Sequence, residues 1–351
     1  MKPHQDSPLL EVDGLRLDLV GADRQPGLLD GVSFSVSREQ TVALIGESGC
    51  GKTMTAMAVL SLLPRVAQVM SGEIRFQGAN LLAMGGRSLR RIYGAQIGTV
   101  FQNPMSSLNP TMRVGKQIAE MRQLHVDESG AASRERAIEL LRLVGVPRPD
   151  VRVDSYPYEL SGGMQQRVMI AMAIACEPQL MLADEPTTAL DVTIQAEVLD
   201  LLRSLRERLG MGILLVTHDL GVVADFADVV VVMYAGQVVE QAPVHAIFER
   251  PTHPYTAALL ASMPQIGRPR SRLAAIPGRV PPAGAYPSGC RFRTRCAFAK
   301  AGTCDAQPVD LGMVGDGHAT ACLRVLEGSL DPADLSGADQ RNQVLLSGSE
   351  S

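Results

Sequence analysis

The chain has 351 residues, 46% hydrophobic and 20% charged, with a formal net charge of −4. That length holds one large domain with a smaller one, or two modest ones, and the composition sustains a substantial buried core. The acidic balance argues against a general nucleic-acid binder, which would carry a basic excess.

The N-terminal MKPHQDSPLLEVDG lacks a basic region followed by an apolar run, so no signal peptide is expected. No apolar stretch approaches the roughly 18–20 residues that cross a bilayer. VVVVMYAG, Val229 to Gly236, is only strand-length. A cytosolic chain that can dock onto a membrane protein is expected.

TVALIGE, Thr41 to Glu47, reads as a buried parallel strand. GESGCGKT, Gly46 to Thr53, overlaps its end and fits G-x-x-x-x-G-K-[ST]. Gly46, Gly49 and Gly51 let the backbone curl, so that amides around Ser48 and Cys50 point at phosphate oxygens. A helix expected from Lys52 to Leu63, stopping before Pro64, adds its N-terminal dipole to the same anion site. Lys52 would neutralise the β- and γ-phosphates, and Thr53 would offer a hydroxyl to Mg²⁺. A chance glycine-rich turn would lack this strand-before, helix-after context.

Gln102, in GTVFQNP, follows a short strand; a lone Gln there is more often structural. In ELSGGMQQR, Ser161-Gly162-Gly163 opens a helix expected over about Met164 to Cys176. Alone it is an ordinary helix start. Beside the phosphate loop it is a second anion-binding N-terminus, which needs a second nucleotide or a second chain. Head-to-tail pairing satisfies both: each chain's SGG end caps the nucleotide held by the other's loop. LMLADEP, Leu180 to Pro186, delivers Asp184 and Glu185 to the carboxyl end of a strand, where ligands bind in open α/β sheets. Asp184 would hold Mg²⁺ through water, and Glu185 would orient and polarise the attacking water. The alternative is two acids simply ending a strand in solvent. A helix over Val192 to Leu209 ends at Gly210, and GILLVTHD, Gly212 to Asp219, is a strand that ends near His218. Strands alternating with helices imply an α/β fold with a mostly parallel sheet.

After Pro251 the texture changes, and a domain boundary is expected near Met263, before a Pro-, Gly- and Arg-rich stretch. Cys50 and Cys176 sit alone, whereas Cys290-x5-Cys296-x7-Cys304-x17-Cys322 forms a cluster, and disulfides are not expected in a cytosolic chain. The spacing is not the C-x2-C of most structural zinc sites. Four thiolates can serve a tetrahedral Zn²⁺ or a [4Fe–4S] cluster, or hold no metal; His318 could replace one ligand. Arg291, Arg293 and Arg295 interleave with the first two cysteines and are expected to depress their pKa values. The polar stretch from 329 onward is expected to be disordered.

Together these segments resemble an ABC-type ATPase. GESGCGKT resembles Walker A, Gln102 the Q-loop, LSGGM the signature, LMLADE Walker B, ALD (Ala189 to Asp191) the D-loop and His218 the switch histidine. The likeness covers Leu9 to about Tyr255. FQNPMSSLNP, HPYTAALLASMP and the terminal cysteines resemble, more narrowly, the ATPase subunits of peptide and nickel importers. The resemblance implies a P-loop ATPase domain over 1–263. It would combine a mostly parallel sheet, an antiparallel β subdomain and a helical signature subdomain at about 105–177. A Cys-rich region at 264–328 and a tail at 329–351 would follow.

The resemblance further implies ATP and Mg²⁺ as cofactors. Lys52 and Thr53 would meet phosphate and metal, Asp184 the metal, and Gln102 both γ-phosphate and metal. Glu185 would be catalytic and His218 would bind the γ-phosphate. Ser161, Gly162 and Gly163 would reach the partner's ATP. Implied partners are two membrane permeases, a second ATPase subunit in a hetero- or homodimer, and an extracytoplasmic solute-binding protein. The implied place is the cytoplasmic face of the inner membrane, with no nucleic acid involved. Peptide is the expected solute; nickel, glycosides and opine-like molecules are alternatives. In some members the terminal cysteines resemble an iron–sulfur site. A soluble ABC ATPase acting on DNA or translation is disfavoured by the single cassette and the short Gln102–Ser161 interval. Two departures stand out. LRLDLVGADRQPGLLDG has no aromatic to stack on adenine, so an aliphatic contact is expected. Cys50 replaces the usual Ser, and a thiol there is expected to be open to alkylation.

Overall fold

The computed structural model describes residues 7–20, 25–126, 128–188, 190–263 and 276–337. Among them lie twelve strands: β1 Leu10–Leu19, β2 Gln25–Val36, β3 Thr41–Ile45, β4 Ala67–Phe76, β5 Ala79–Asn80, β6 Ile97–Val100, β7 Leu180–Asp184, β8 Gly212–Val216, β9 Val229–Tyr234, β10 Gln237–Pro243, β11 Gly312–Gly315 and β12 His318–Thr320. The chain divides into two compact units. One comprises Met1–Leu10, Val36–Thr41 and Arg75–Val216; the other comprises Glu11–Ser35, Val42–Ile74 and Thr217–Ser351.

In the first unit β6, β7 and β8 run parallel, with β7 in the middle. All five residues of β8 are buried, and β7 is buried up to Asp184, as expected for strands covered on both faces. The helices Val114–His125, Gly130–Leu143 and Gly162–Ala173 pack on one another and supply the helical part. The helix Val192–Leu209 starts where the Asp191 carboxylate accepts from the Ile194 amide at 2.9 Å. It buries Val198, Leu202 and Leu205 on one face and stops at left-handed Gly210, φ 61°.

In the second unit β2, β1 and β4 lie side by side in that order. β3 runs parallel to β9, and antiparallel pairings extend that layer through β10 and β12 to β11. The expected division at residue 263 therefore does not follow the compact units. β12 pairs with β10, with Glu240 opposite Thr320, so the cysteine-bearing segment joins the unit that carries the phosphate loop.

The stretch expected to be disordered from 329 begins differently. Leu330 and Leu335 are buried with Ala257, Phe298 and Cys322, and Pro332–Gly337 forms a 3₁₀ turn. Two well-spaced leucines find an apolar cluster that the average polarity of the segment conceals. Residues 338–351 and Ala189 of the ALD triplet lie outside the described residues.

Candidate functional site

β3 feeds the glycine-rich loop. At Gly46, φ 146°, a Cβ would fall 2.2 Å from the Met233 carbonyl oxygen. At Gly51, φ 109°, it would fall 2.6 Å from Leu29 Cδ2. Only glycine fits either position, so the loop is tightly wrapped by its surroundings. Gly51 caps the helix Lys52–Val59, four residues shorter than expected, because the chain turns at Ser61 in the left-handed region. Lys52 is buried, and its ammonium donates to the Gly46 and Glu47 carbonyls at 2.6 and 3.2 Å. Ser48, Gly49 and Thr53 are exposed. The loop thus places a buried ammonium and an exposed hydroxyl on one short turn, which suits a polyanion.

Cys50 is fully buried, and burial pushes its thiol pKa up, with the Lys52 charge opposing. The expectation of a readily alkylated thiol is thereby corrected: the sulfur faces the interior, with the Lys52 ammonium 3.8 Å away.

In the first unit Asp184 ends β7 and Glu185 follows it with φ 48°, a strained value for a non-glycine residue. The Glu185 amide donates to the Val216 carbonyl at 2.8 Å, which holds the bend. Gln102 Nε2 donates to Glu185 Oε2 at 2.6 Å, and the Thr188 hydroxyl donates to the same oxygen at 2.9 Å. The Gln102 amide oxygen is then the end that can meet a cation. Thr188 is a partner that sequence reasoning missed. Its position three residues after Glu185 was the available signal.

Ser161 caps the helix Gly162–Ala173, its hydroxyl accepting from the Met164 amide at 3.4 Å. A Cβ on Gly162 would meet nothing within 4 Å, so the approach to this helix start is open. Farther along that helix, Gln166 donates to the Pro186 carbonyl at 2.6 Å, and Arg167 bonds the Val144 carbonyl and Glu197 at 2.6 and 2.7 Å. The SGG helix is thereby tied to the segment that follows Glu185. Phe101 and Met105, on either side of Gln102 along the chain, expose 41% and 75% of their surface.

His218 lies in the second unit, between β8 and the helix Leu220–Phe226, and is exposed. No aromatic lies in the stretch Leu15 to Gly31, yet one is near that stretch in space. Tyr286 lines a cavity with Asp18, Gly27, Leu29 and Arg291, and the Arg291 guanidinium stacks 3.9 Å from its ring centre.

Cys290, Cys296, Cys304 and Cys322 all line one cavity, walled by Phe292 and Phe298. Burial raises the pKa of Cys290, pushes Cys296 up to about 12 and Cys322 up to about 11. This corrects the expected depression: burial outweighs the opposing charge of Arg293 at Cys290, and the other two arginines turn elsewhere. Arg291 bonds Asp30 and the Ala235 carbonyl, and Arg295 bonds Glu47. His318 is likewise not a ligand candidate: it bonds Glu240 at 2.8 Å and Thr252 at 3.1 Å and does not line the cavity. Among the described residues no three His, Cys, Asp or Glu form a group that could hold a metal ion. No helix among them is long and apolar enough to cross a membrane.

Two family models match the chain: ABC transporter over residues 29–188, and oligopeptide/dipeptide transporter, C-terminal region, over 239–304. The probable peptide ABC transporter ATP-binding protein y4tR of Sinorhizobium fredii is 49% identical over 90% of this chain and 95% of its own. The dipeptide transport ATP-binding protein DppD of Escherichia coli is 45% identical over 90% and 96%. Among solved structures, the ATP-binding cassette MJ0796, a post-hydrolysis dimer bound to ADP and Pi, superposes with a TM-score of 0.60 at 26% identity, covering 67% of this chain and 98% of that one.

Proposed function

Because this chain belongs to the ABC transporter ATP-binding proteins that carry an oligopeptide/dipeptide C-terminal region, we propose that it hydrolyses ATP to power import of peptides through a pair of membrane permeases. The observation that carries the reading is the match to peptide-transport subunits over nine-tenths of the chain, beside a C-terminal-region match over 239–304 that takes in Cys290, Cys296 and Cys304.

The loop from Gly46 to Thr53 binds the phosphates, and Lys52 exchanges its loop carbonyls for phosphate oxygens. Mg²⁺, bound with the nucleotide, supplies charge neutralisation. Thr53, Gln102 and Asp184 offer the hard oxygen donors it prefers. Glu185 accepts a proton from the attacking water, and the two hydrogen bonds from Gln102 and Thr188 fix the plane of its carboxylate. His218 meets the γ-phosphate. Ser161, Gly162 and Gly163 cap the nucleotide of a second ATPase subunit, a role supported by the open space before Gly162. Gln102 sits between exposed Phe101 and Met105, so a permease contact there is read directly by the residue that orients Glu185. The complex works at the cytoplasmic face of the membrane and takes its solute from a binding protein outside.

The four-cysteine cavity is read as a [4Fe–4S] site. The support for this reading is that all four thiols line one cavity. The Lys300 amide points at Cys304 Sγ, 3.4 Å away, a polarity that stabilises a thiolate ligand. When bound, the cluster supplies iron–thiolate bonds that staple a segment short of apolar residues.

The test is reconstitution. The chain is purified with its membrane partners and placed in proteoliposomes, and ATPase rate is measured with dipeptide and binding protein added. Stimulation that needs both is expected. Stimulation by a nickel or glycoside system instead would overturn peptide as the solute and leave the ATPase assignment intact.

A further inference from the structure

Glu47 is the second residue of the phosphate loop, and an acid there is a liability. An unpaired carboxylate beside the phosphate site would repel a polyanion. The structure answers this from far along the chain. Arg295 meets Glu47 with both terminal nitrogens, Nη1 to Oε2 at 2.6 Å and Nη2 to Oε1 at 3.0 Å. The Arg295 side chain is only 4% exposed, and its Nε donates to the Pro277 carbonyl at 2.7 Å, so the fork is aimed and held. A two-point pair of this kind fixes direction as well as charge. The Glu47 amide is spoken for too: it donates to the Tyr255 hydroxyl at 2.8 Å. Side chain and backbone of one loop residue are thus held by segments that follow the ATPase motifs.

The same segment forms the wall of the cysteine cavity. Arg295 directly precedes Cys296. Phe292, three residues earlier, lines the cavity and packs edge-on against Tyr234 and Tyr255, with ring centres 5.2 and 5.3 Å apart. Any displacement of Cys290–Cys296 must therefore move Phe292 and Arg295, and with them the hold on Glu47.

We infer that Arg295 is a positioning residue of the phosphate loop, and that through it the order of the four-cysteine segment sets the affinity of the loop for ATP. The inference rests on reading Gly46–Thr53 as the ATP phosphate site. Linkage makes it reciprocal: ATP bound at the loop also orders the cysteine segment.

The experiment is equilibrium binding of MgATP to the purified full chain, followed by calorimetry, with circular dichroism and melting curves on every variant. Arg295→Gln should weaken ATP binding by about tenfold or more. Arg295→Lys keeps the charge but not the fork and should recover only part of the loss. The double variant Glu47→Gln/Arg295→Gln removes both partners and should bind more tightly than Arg295→Gln alone. Cys296→Ser should weaken binding in the parent yet add little when Arg295 is already Gln. A parent chain that does not bind MgATP overturns the phosphate-site reading itself. A parent that binds, with Arg295→Gln binding equally well, overturns the positioning role. Where Arg295→Gln alone melts, a double variant that folds and still binds no better than background overturns it as well. Fully additive losses from Cys296→Ser and Arg295→Gln overturn the coupling.

Discussion

Glu185 concentrates the chemistry of the first unit in one side chain. Its backbone sits at φ 48°, and two donors converge on one of its oxygens. Glu185→Gln keeps the shape and the size but removes the proton acceptor. ATP affinity should stay within a few-fold while turnover falls roughly hundredfold or more. Trapping of an ATP-bound dimer by size-exclusion chromatography, beside a phosphate-release assay, checks both halves. Parental turnover would mean that another group accepts the proton. At this scale the sequence tells which residue types are present, and much of the site was legible that way: Lys52, Asp184 and Glu185 stand where strand and helix ends were expected. Partners were not legible. Arg295 and Glu47 are 248 positions apart, and nothing local distinguishes an arginine that flanks a thiol from one that turns away to clamp a loop.

Elements carry a second lesson in the buried carboxylate of β10. Glu240 is fully buried, and it accepts from the Thr252 amide at 2.6 Å, the Thr252 hydroxyl at 2.9 Å, the His253 amide at 2.9 Å and His318 at 2.8 Å. One side chain therefore pins β10, the start of the helix Pro254–Ala261, and β12. His253 is buried beside it, and its Nδ1 accepts from the Tyr255 amide at 3.1 Å. Burial lowers the His253 pKa to about 4, against a smaller opposing pull from Glu240. In the unfolded chain the ring takes up its proton near pH 6.5 and in the native state only near pH 4, so stability is lost as pH falls through that window. The full effect amounts to about 3 kcal/mol. Melting curves between pH 7.5 and pH 5 should show it, and His253→Asn should flatten the slope across that range. An unchanged slope in the variant would assign the pH response elsewhere. The helix Val192–Leu209 was readable to its last residue because its cap and its terminal glycine are local signals. The insertion of β12 beside β10 was not, since three residues of strand carry almost no periodicity.

On the scale of the whole molecule, the four-cysteine segment behaves as a closing device for the unit that holds the phosphate loop. Its large buried apolar side chains, among the described residues, are Phe292, Phe298, Leu330 and Leu335. On the cluster reading proposed above, a chain purified without oxygen should be brown, with four irons per chain by assay, and cluster removal should lower the melting temperature by several degrees. A colourless chain that melts at the same temperature after chelation would overturn the cluster reading. The strand order has a consequence in time. β10 ends at Pro243 and its neighbour β12 begins at His318, about 75 residues later. A ribosome adding about 5–20 residues per second takes roughly 4–15 s to cover that gap. Throughout it the nascent chain displays an unpaired edge with Val238, Val239 and Ala242, and a carboxylate still waiting for His318. The synthesis of β12 is thus the event that shields this edge, and whatever stalls translation before His318 leaves it bare.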